Sequence, residues 1–100
     1  MGEIEVPSRR ELLILGILRR GEKSSPQIIK AYNHVRGPGL YRDNLPGVLN
    51  ALERKGYVAS RREVEPAGRG TLNRRYSRLT DKGLETLDMV GGFLLGDLEL

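Results

Sequence analysis

Apolar residues recur at helical spacing in four stretches of the chain and at alternate spacing in one. The first stretch holds Leu12, Leu13, Leu15, Ile17 and Leu18. It follows Ser8-Arg9-Arg10-Glu11, the pattern of a capping box, in which serine and glutamate satisfy each other's free N–H groups. A buried first helix is predicted, ending at Gly21. Ser24-Ser25-Pro26 opens a second helix with Ser25 as its cap and Pro26 in the first turn, and Ile28, Ile29, Tyr32 and Val35 form its buried stripe. A turn-rich break follows over residues 34–39. The third helix, over residues 43–55, is capped by Asp43 or Asn44 and carries Pro46 in its first turn. Leu45, Val48, Leu49 and Leu52 follow the i, i+3, i+4, i+7 spacing of a core-facing stripe.

After Gly56 the pattern changes. Residues 57–65 alternate over their central part, with Val58 and Val64 expected on one face. Pro66-Ala67-Gly68-Arg69-Gly70 reads as a hairpin tip. The return strand over residues 72–79 places Leu72, Arg74, Tyr76 and Arg78 on one side and Asn73, Arg75, Ser77 and Leu79 on the other, with Tyr76 and Leu79 as its anchors. Thr80 caps a last helix that starts with Asp81 and carries Leu84, Leu87, Val90 and Leu94 at helical spacing. Gly91-Gly92 is expected to bend or break it.

Three helices, a two-stranded ribbon and a terminal helix make an α+β chain of the winged helix-turn-helix type. The division is an arm over residues 1–7, in which Ile4 and Val6 alternate, a winged domain over 8–79, and a terminal helix over 80–100. The outward side of the third helix carries Asn44, Gly47, Asn50, Ala51 and Arg54. Small residues let a helix sit deep in a DNA major groove, and asparagine and arginine pair with base edges or phosphates. Ser24, Ser25 and Gln27, at the start of the second helix, are candidate phosphate contacts. The terminus adds Phe93, Leu94, Leu95, Leu98 and Leu100. So apolar an end on a small domain predicts a partner surface, a homodimer interface built from Leu84, Leu87, Val90, Phe93 and Leu94.

Charge sharpens this picture. The net charge is +4, but residues 1–53 carry +2, residues 54–78 carry +6 and residues 79–100 carry −4. The ribbon is therefore the basic part of the chain, the footprint of a polyanion-binding face. Arg69 projects from the tip between two glycines, and Arg74 and Arg75 lie on the return strand. All three are candidates for the minor groove or backbone.

The sequence contains no cysteine, so disulfides and thiolate metal sites are out, which suits a reducing cytoplasm. No apolar run is long enough to span a membrane, and the first residues lack the pattern of a secretory signal. His34 is the single histidine and reads as a surface residue. With no nucleophile–base set and no phosphate-cradling loop, an enzyme is not expected, and neither is a cofactor. A winged helix used for protein–protein contact without DNA binding is the rival reading, and an RNA-binding winged helix a lesser one.

Over residues 11–87 the sequence resembles the PadR-like family of winged-helix transcriptional regulators. The resemblance rests on Leu12-Leu13-Ile14-Leu15-Gly16-Ile17-Leu18 with Gly21, on Ile28-Ile29-Lys30, and on Leu45, Leu49, Leu52-Glu53 and Gly56-Tyr57-Val58. It closes with Arg74-Arg75-Tyr76-Ser77-Arg78-Leu79-Thr80-Asp81-Lys82-Gly83. The chain reads as a divergent member. Ser24-Ser25-Pro26 stands where the family has His-Gly-Tyr, Asn44-Leu45-Pro46-Gly47 where it has Thr-Leu-Tyr-Pro, and Ser77 where the wing has a second aromatic. The resemblance implies a regulator of transcription, double-stranded DNA as partner, and dimerisation through the carboxyl-terminal helix. It also implies, as for many members, a small-molecule effector near the dimer interface, for which no residue set here identifies a ligand.

Overall fold

The structure is a computed structural model and describes the backbone of residues 7–36 and 39–98, with side chains through residue 90. The expectations for Ile4, Val6, Phe93 and Leu94 lie outside the described residues or side chains. Among the described residues, four helices and a three-stranded antiparallel sheet follow in the order α1 (Arg9–Leu18), β1 (Lys23–Ser24), α2 (Ser25–Arg36), α3 (Leu45–Arg54), β2 (Val58–Ala67), β3 (Gly70–Leu79) and α4 (Asp81–Leu98). The strand order is β1-β3-β2. The ribbon therefore has a third, two-residue strand: Lys23 and Ser24 pair with Ser77 and Tyr76.

The helix ends follow from the sequence. Ser8 Oγ accepts from the Glu11 N–H at 3.1 Å, and Glu11 Oε1 accepts from the Ser8 N–H at 2.9 Å. Gly21 and Gly56 take φ values of +130° and +82°, which L side chains rarely adopt. At the start of α2 the cap is Ser24 rather than Ser25. Ser24 Oγ accepts from the Gln27 N–H at 3.4 Å, and Gln27 Oε1 accepts from the Ser24 N–H at 2.9 Å. Pairing of β1 with β3 fixes the Ser24 backbone in place for this reciprocal cap. The α4 helix runs unbroken through Gly91-Gly92. Glycine costs roughly 1 kcal/mol of helix propensity but keeps its N–H, so the ladder continues.

Ile14, Leu15, Leu18, Ile28, Leu45, Leu49 and Leu52 form the centre of the core, with Tyr57 and Val58 closing it from the sheet side. Leu40 is fully buried among them. The Asn33 side chain holds it there, donating to the Leu40 carbonyl at 3.0 Å and accepting from its N–H at 3.1 Å. Val35, expected in the buried stripe, is exposed, as is His34. Val58 and Val64 share a face by register, yet Val64 is 65% exposed, because the ribbon runs out beyond the core. Leu87, expected at a dimer interface, is buried in this core, and Val90 packs against it. Leu84 and Met89 are the exposed large apolar residues of α4 among the described side chains.

Glu11 ties α1 to the end of α3. It is 8% exposed and pairs with Lys55 at 3.0 Å. Burial raises its pKa, but the Ser8 N–H, the Lys55 ammonium and the Ser8 hydroxyl together outweigh this and hold it below 4.5. A depressed carboxyl contributes stability above the unfolded-state pKa and loses it as pH falls through the folded value. Glu11→Gln should therefore cost about 1 kcal/mol at pH 7. The gap to the wild type should close on acidification below pH 4.5, as read by denaturant melts at pH 7 and pH 3. A gap that is the same at both would contradict the pairing.

Candidate nucleic-acid interface

The hairpin closes with Ala67 opposite Gly70. The intervening Gly68 has φ +60°, and Arg69 has no positive φ. Glycine at the first of two central positions is the type II′ arrangement, whose twist matches that of the flanking strands. Arg69 is held at this tip and is exposed. In an antiparallel hairpin with a two-residue loop, the pair next to the closing pair turns its N–H groups outward. Pro66, which lacks an N–H, sits there opposite Thr71 on edge strand β2. It removes a donor from the open edge and so discourages strand addition.

Between the starts of α2 and α3 and the ribbon lies an open cleft of about 340 Å³. Ser25, Pro26 and Ile29 of α2 line one side. Arg42, Leu45 and Pro46 line the second, and Arg62 and residues 72–75 of the ribbon the third. Four arginines thus meet at one opening: Arg42, Arg62, Arg74 and Arg75. The amino ends of α2 and α3 flank the same opening, and each carries a partial positive charge. The outward stripe of α3 adjoins it. Pro46, Gly47, Asn50 and Arg54 are all exposed, and a Cβ on Gly47 would meet nothing within 4 Å.

The arginines are not equivalent. Arg75 is turned inward with its side chain 10% exposed, in an ion pair with Glu53. It also donates to Asn50 Oδ1 at 3.0 Å. Residue 75 shares its face of the sheet with Val58, Ser77 and Leu79, the face packed on the body, so its guanidinium reaches α3 rather than solvent. Arg75, a candidate for the minor groove or backbone, is here engaged within the chain, where it fastens the ribbon to α3. Arg74 is half-buried, 3.8 Å from Glu65, and its Nε has no hydrogen-bond partner. Arg42, Arg54, Arg62 and Arg69 have no carboxylate partner among the described residues. Arg61 is bound to Glu22 at 2.7 Å and to Glu63, and it stacks on the Tyr76 ring at 4.6 Å. Its bond lowers the Glu22 pKa. Tyr76 Oη donates to Glu65 at 2.9 Å, and this bond, with burial, raises the phenol pKa. These contacts stiffen the far face of the ribbon.

Two further candidates have other tasks. The Asn44 amide accepts from the Tyr41 N–H at 2.7 Å and donates to the Gly39 carbonyl at 3.4 Å. It shapes the loop before α3 instead of pointing outward. Gln27 is held by Ser24, which leaves Ser25 as the hydroxyl of that turn at the cleft. Arg42 and Arg62 were not singled out by sequence reasoning. Arg42 stands in an irregular segment, and Arg62 is one of several arginines whose direction depends on strand register.

The sequence matches no protein-family model and no curated protein. Solved structures do match. A PadR family transcription regulator from hypervirulent Clostridium difficile R20291 superimposes with a TM-score of 0.71 at 23% identity, over 87% of this chain and 88% of that one. Bacillus subtilis PadR in complex with operator DNA superimposes with a TM-score of 0.68 at 25% identity, over 82% of this chain and 46% of that longer one. The chain thus has the winged-helix fold of PadR-family transcription regulators, as the sequence resemblance implied. Among the described residues, no helix is long and apolar enough to cross a membrane.

Proposed function

We propose that this PadR-like chain is a cytoplasmic, sequence-specific DNA-binding regulator of transcription that acts as a homodimer and represses by occupying its operator. One observation carries the reading: Arg42 and Arg62, without carboxylate partners among the described residues, join Arg74 and two helix amino ends around a single cleft beside the exposed Gly47–Asn50–Arg54 stripe. With α3 in a major groove and the Arg69 tip at the adjacent minor groove, the sugar-phosphate strand between the grooves would run through this cleft. Ser25, Arg42, Arg62 and Arg74 would then meet phosphates, and Gly47, Asn50 and Arg54 would meet bases or nearby phosphates. Arg75 would act by setting the angle between ribbon and helix. Leu84 and Met89, exposed on α4, would contribute to the two-fold contact, with half-sites about 34 Å apart. The solved complex of Bacillus subtilis PadR with operator DNA supports duplex DNA as the partner class.

Titration of duplex DNA across a salt series tests this. A dimer neutralising about six phosphates should give a slope of log affinity against log salt near −5. Affinity that ignores salt would contradict the reading. Gly47→Ala separates folding from binding. Its methyl enters open space and should add about 0.5–1 kcal/mol of stability. The same methyl lies on the surface facing the groove and should lower duplex affinity about tenfold, the worth of one lost base contact. A melt and a binding isotherm on the same sample read both effects, and unchanged affinity would remove Gly47 from the interface.

A further inference from the structure

Asn50 and Arg75 are joined in a way that limits what Asn50 can read. Asparagine usually recognises adenine with both ends of its amide, the oxygen accepting from N6 and the nitrogen donating to N7. Here Arg75 Nη2 lies 3.0 Å from Asn50 Oδ1. A guanidinium has donors and no acceptor, so the amide atom facing it must be the oxygen. Arg75 is itself fixed, with its side chain 10% exposed and ion-paired with Glu53 one turn along the same helix. Asn50 is exposed. One lone pair of its oxygen is engaged by a cation, which weakens the other as an acceptor, while its Nδ2 hydrogens have no partner among the described residues. The polarised amide is left as a donor.

We infer that Asn50 is a specificity-determining residue that donates from Nδ2 to the acceptor edge of a guanine, and that Arg75 enforces this choice by holding its oxygen. Guanine presents N7 and O6 side by side in the major groove, two acceptors for the two Nδ2 hydrogens, whereas adenine and cytosine each place an amino donor there and thymine offers O4 alone beside its methyl group. A donor facing a donor is repelled, so the Glu53–Arg75–Asn50 chain discriminates against both. The inference rests on the DNA-binding reading above and adds a base to it.

Selection of bound sequences from a random duplex pool tests it, using the full chain as wild type, Asn50→Ala and Arg75→Met. The wild type should select guanine at one position per half-site, and Asn50→Ala should flatten that position alone. Arg75→Met, which keeps an unbranched stem in place of the aliphatic part of arginine and removes every donor, frees the Asn50 oxygen. It should move that position towards adenine by about tenfold. Asn50 is exposed, so its alanine variant folds, and the comparison of wild type with Asn50→Ala stands even if Arg75→Met melts early. Any base other than guanine at the Asn50-dependent position would overturn the inference while leaving DNA binding intact. Guanine retained by a folded Arg75→Met would overturn the part given to Arg75. A pool with no enriched sequence would overturn the inference and the DNA-binding reading together.

Discussion

Gly83→Ala should lower stability by about 3 kcal/mol, near the upper end of overpacking effects. A Cβ at residue 83 would lie 2.1 Å from the Tyr57 carbonyl oxygen, 3.0 Å from its carbon and 3.1 Å from Leu79 Cδ2. The carbonyl cannot retreat freely, because it accepts the Thr80 N–H at 3.1 Å. Thr80 in turn caps α4, accepting from the Gly83 N–H at 3.0 Å and donating to the Gly56 carbonyl at 2.5 Å. One methyl group therefore strains the joint that seats α4 on the end of β3. For a domain this size, 3 kcal/mol is a fall in Tm of roughly 12–24 °C. Gly16→Ala is the control. Its Cβ would meet nothing within 4 Å on the exposed side of α1, and the change should raise stability by about 1 kcal/mol. Equal melting of the two variants would contradict the close approach at Gly83.

The second large effect concerns binding. Arg62 and Arg74 come from β2 and β3 and line the same cleft, so replacing both with alanine should strip four cations from a dimer's interface. Each phosphate contact contributes about 0.9 to the salt slope. The slope should therefore fall from about −5 to about −2, with affinity down on the order of 10³-fold at 0.1 M salt. Arg19→Ala removes an equal charge from α1, where the side chain pairs with Asp88 of α4 at 3.1 Å, and should leave the slope unchanged. If the Arg19 variant lost as much slope as the double variant, attraction would depend on total charge and not on the cleft.

Much of the fold was legible because its signals are local. The Ser8–Glu11 box, the Thr80 cap, the Gly21 and Gly56 stops and the Gly68 turn each depend on a few neighbouring residues whose side chains or missing side chains dictate the backbone. The core stripe of α3 was legible for the same reason. What stayed hidden depends on contacts between distant segments. Two-residue β1 has no periodicity to betray it, since its pairing uses backbone groups alone. Leu40 sits in a turn-rich stretch and is buried only because Asn33 grips its backbone. The ribbon could be seen to be basic, but not which arginines are spent on carboxylates. Arg75 reaches Glu53 across 22 residues and Arg61 reaches Glu22 across 39. Those pairings decide that Arg42, Arg62 and Arg69 remain available while Arg75 becomes a brace.

Mapping backbone amide shifts as a short duplex is added reaches the central claim most directly. The account predicts perturbations concentrated at Ser25, Arg42, Gly47, Asn50, Arg62, Arg69 and Arg74, with Arg19 and Asp88 unmoved. Shifts gathered along the α1–α4 side, with the cleft and the α3 stripe silent, would contradict it.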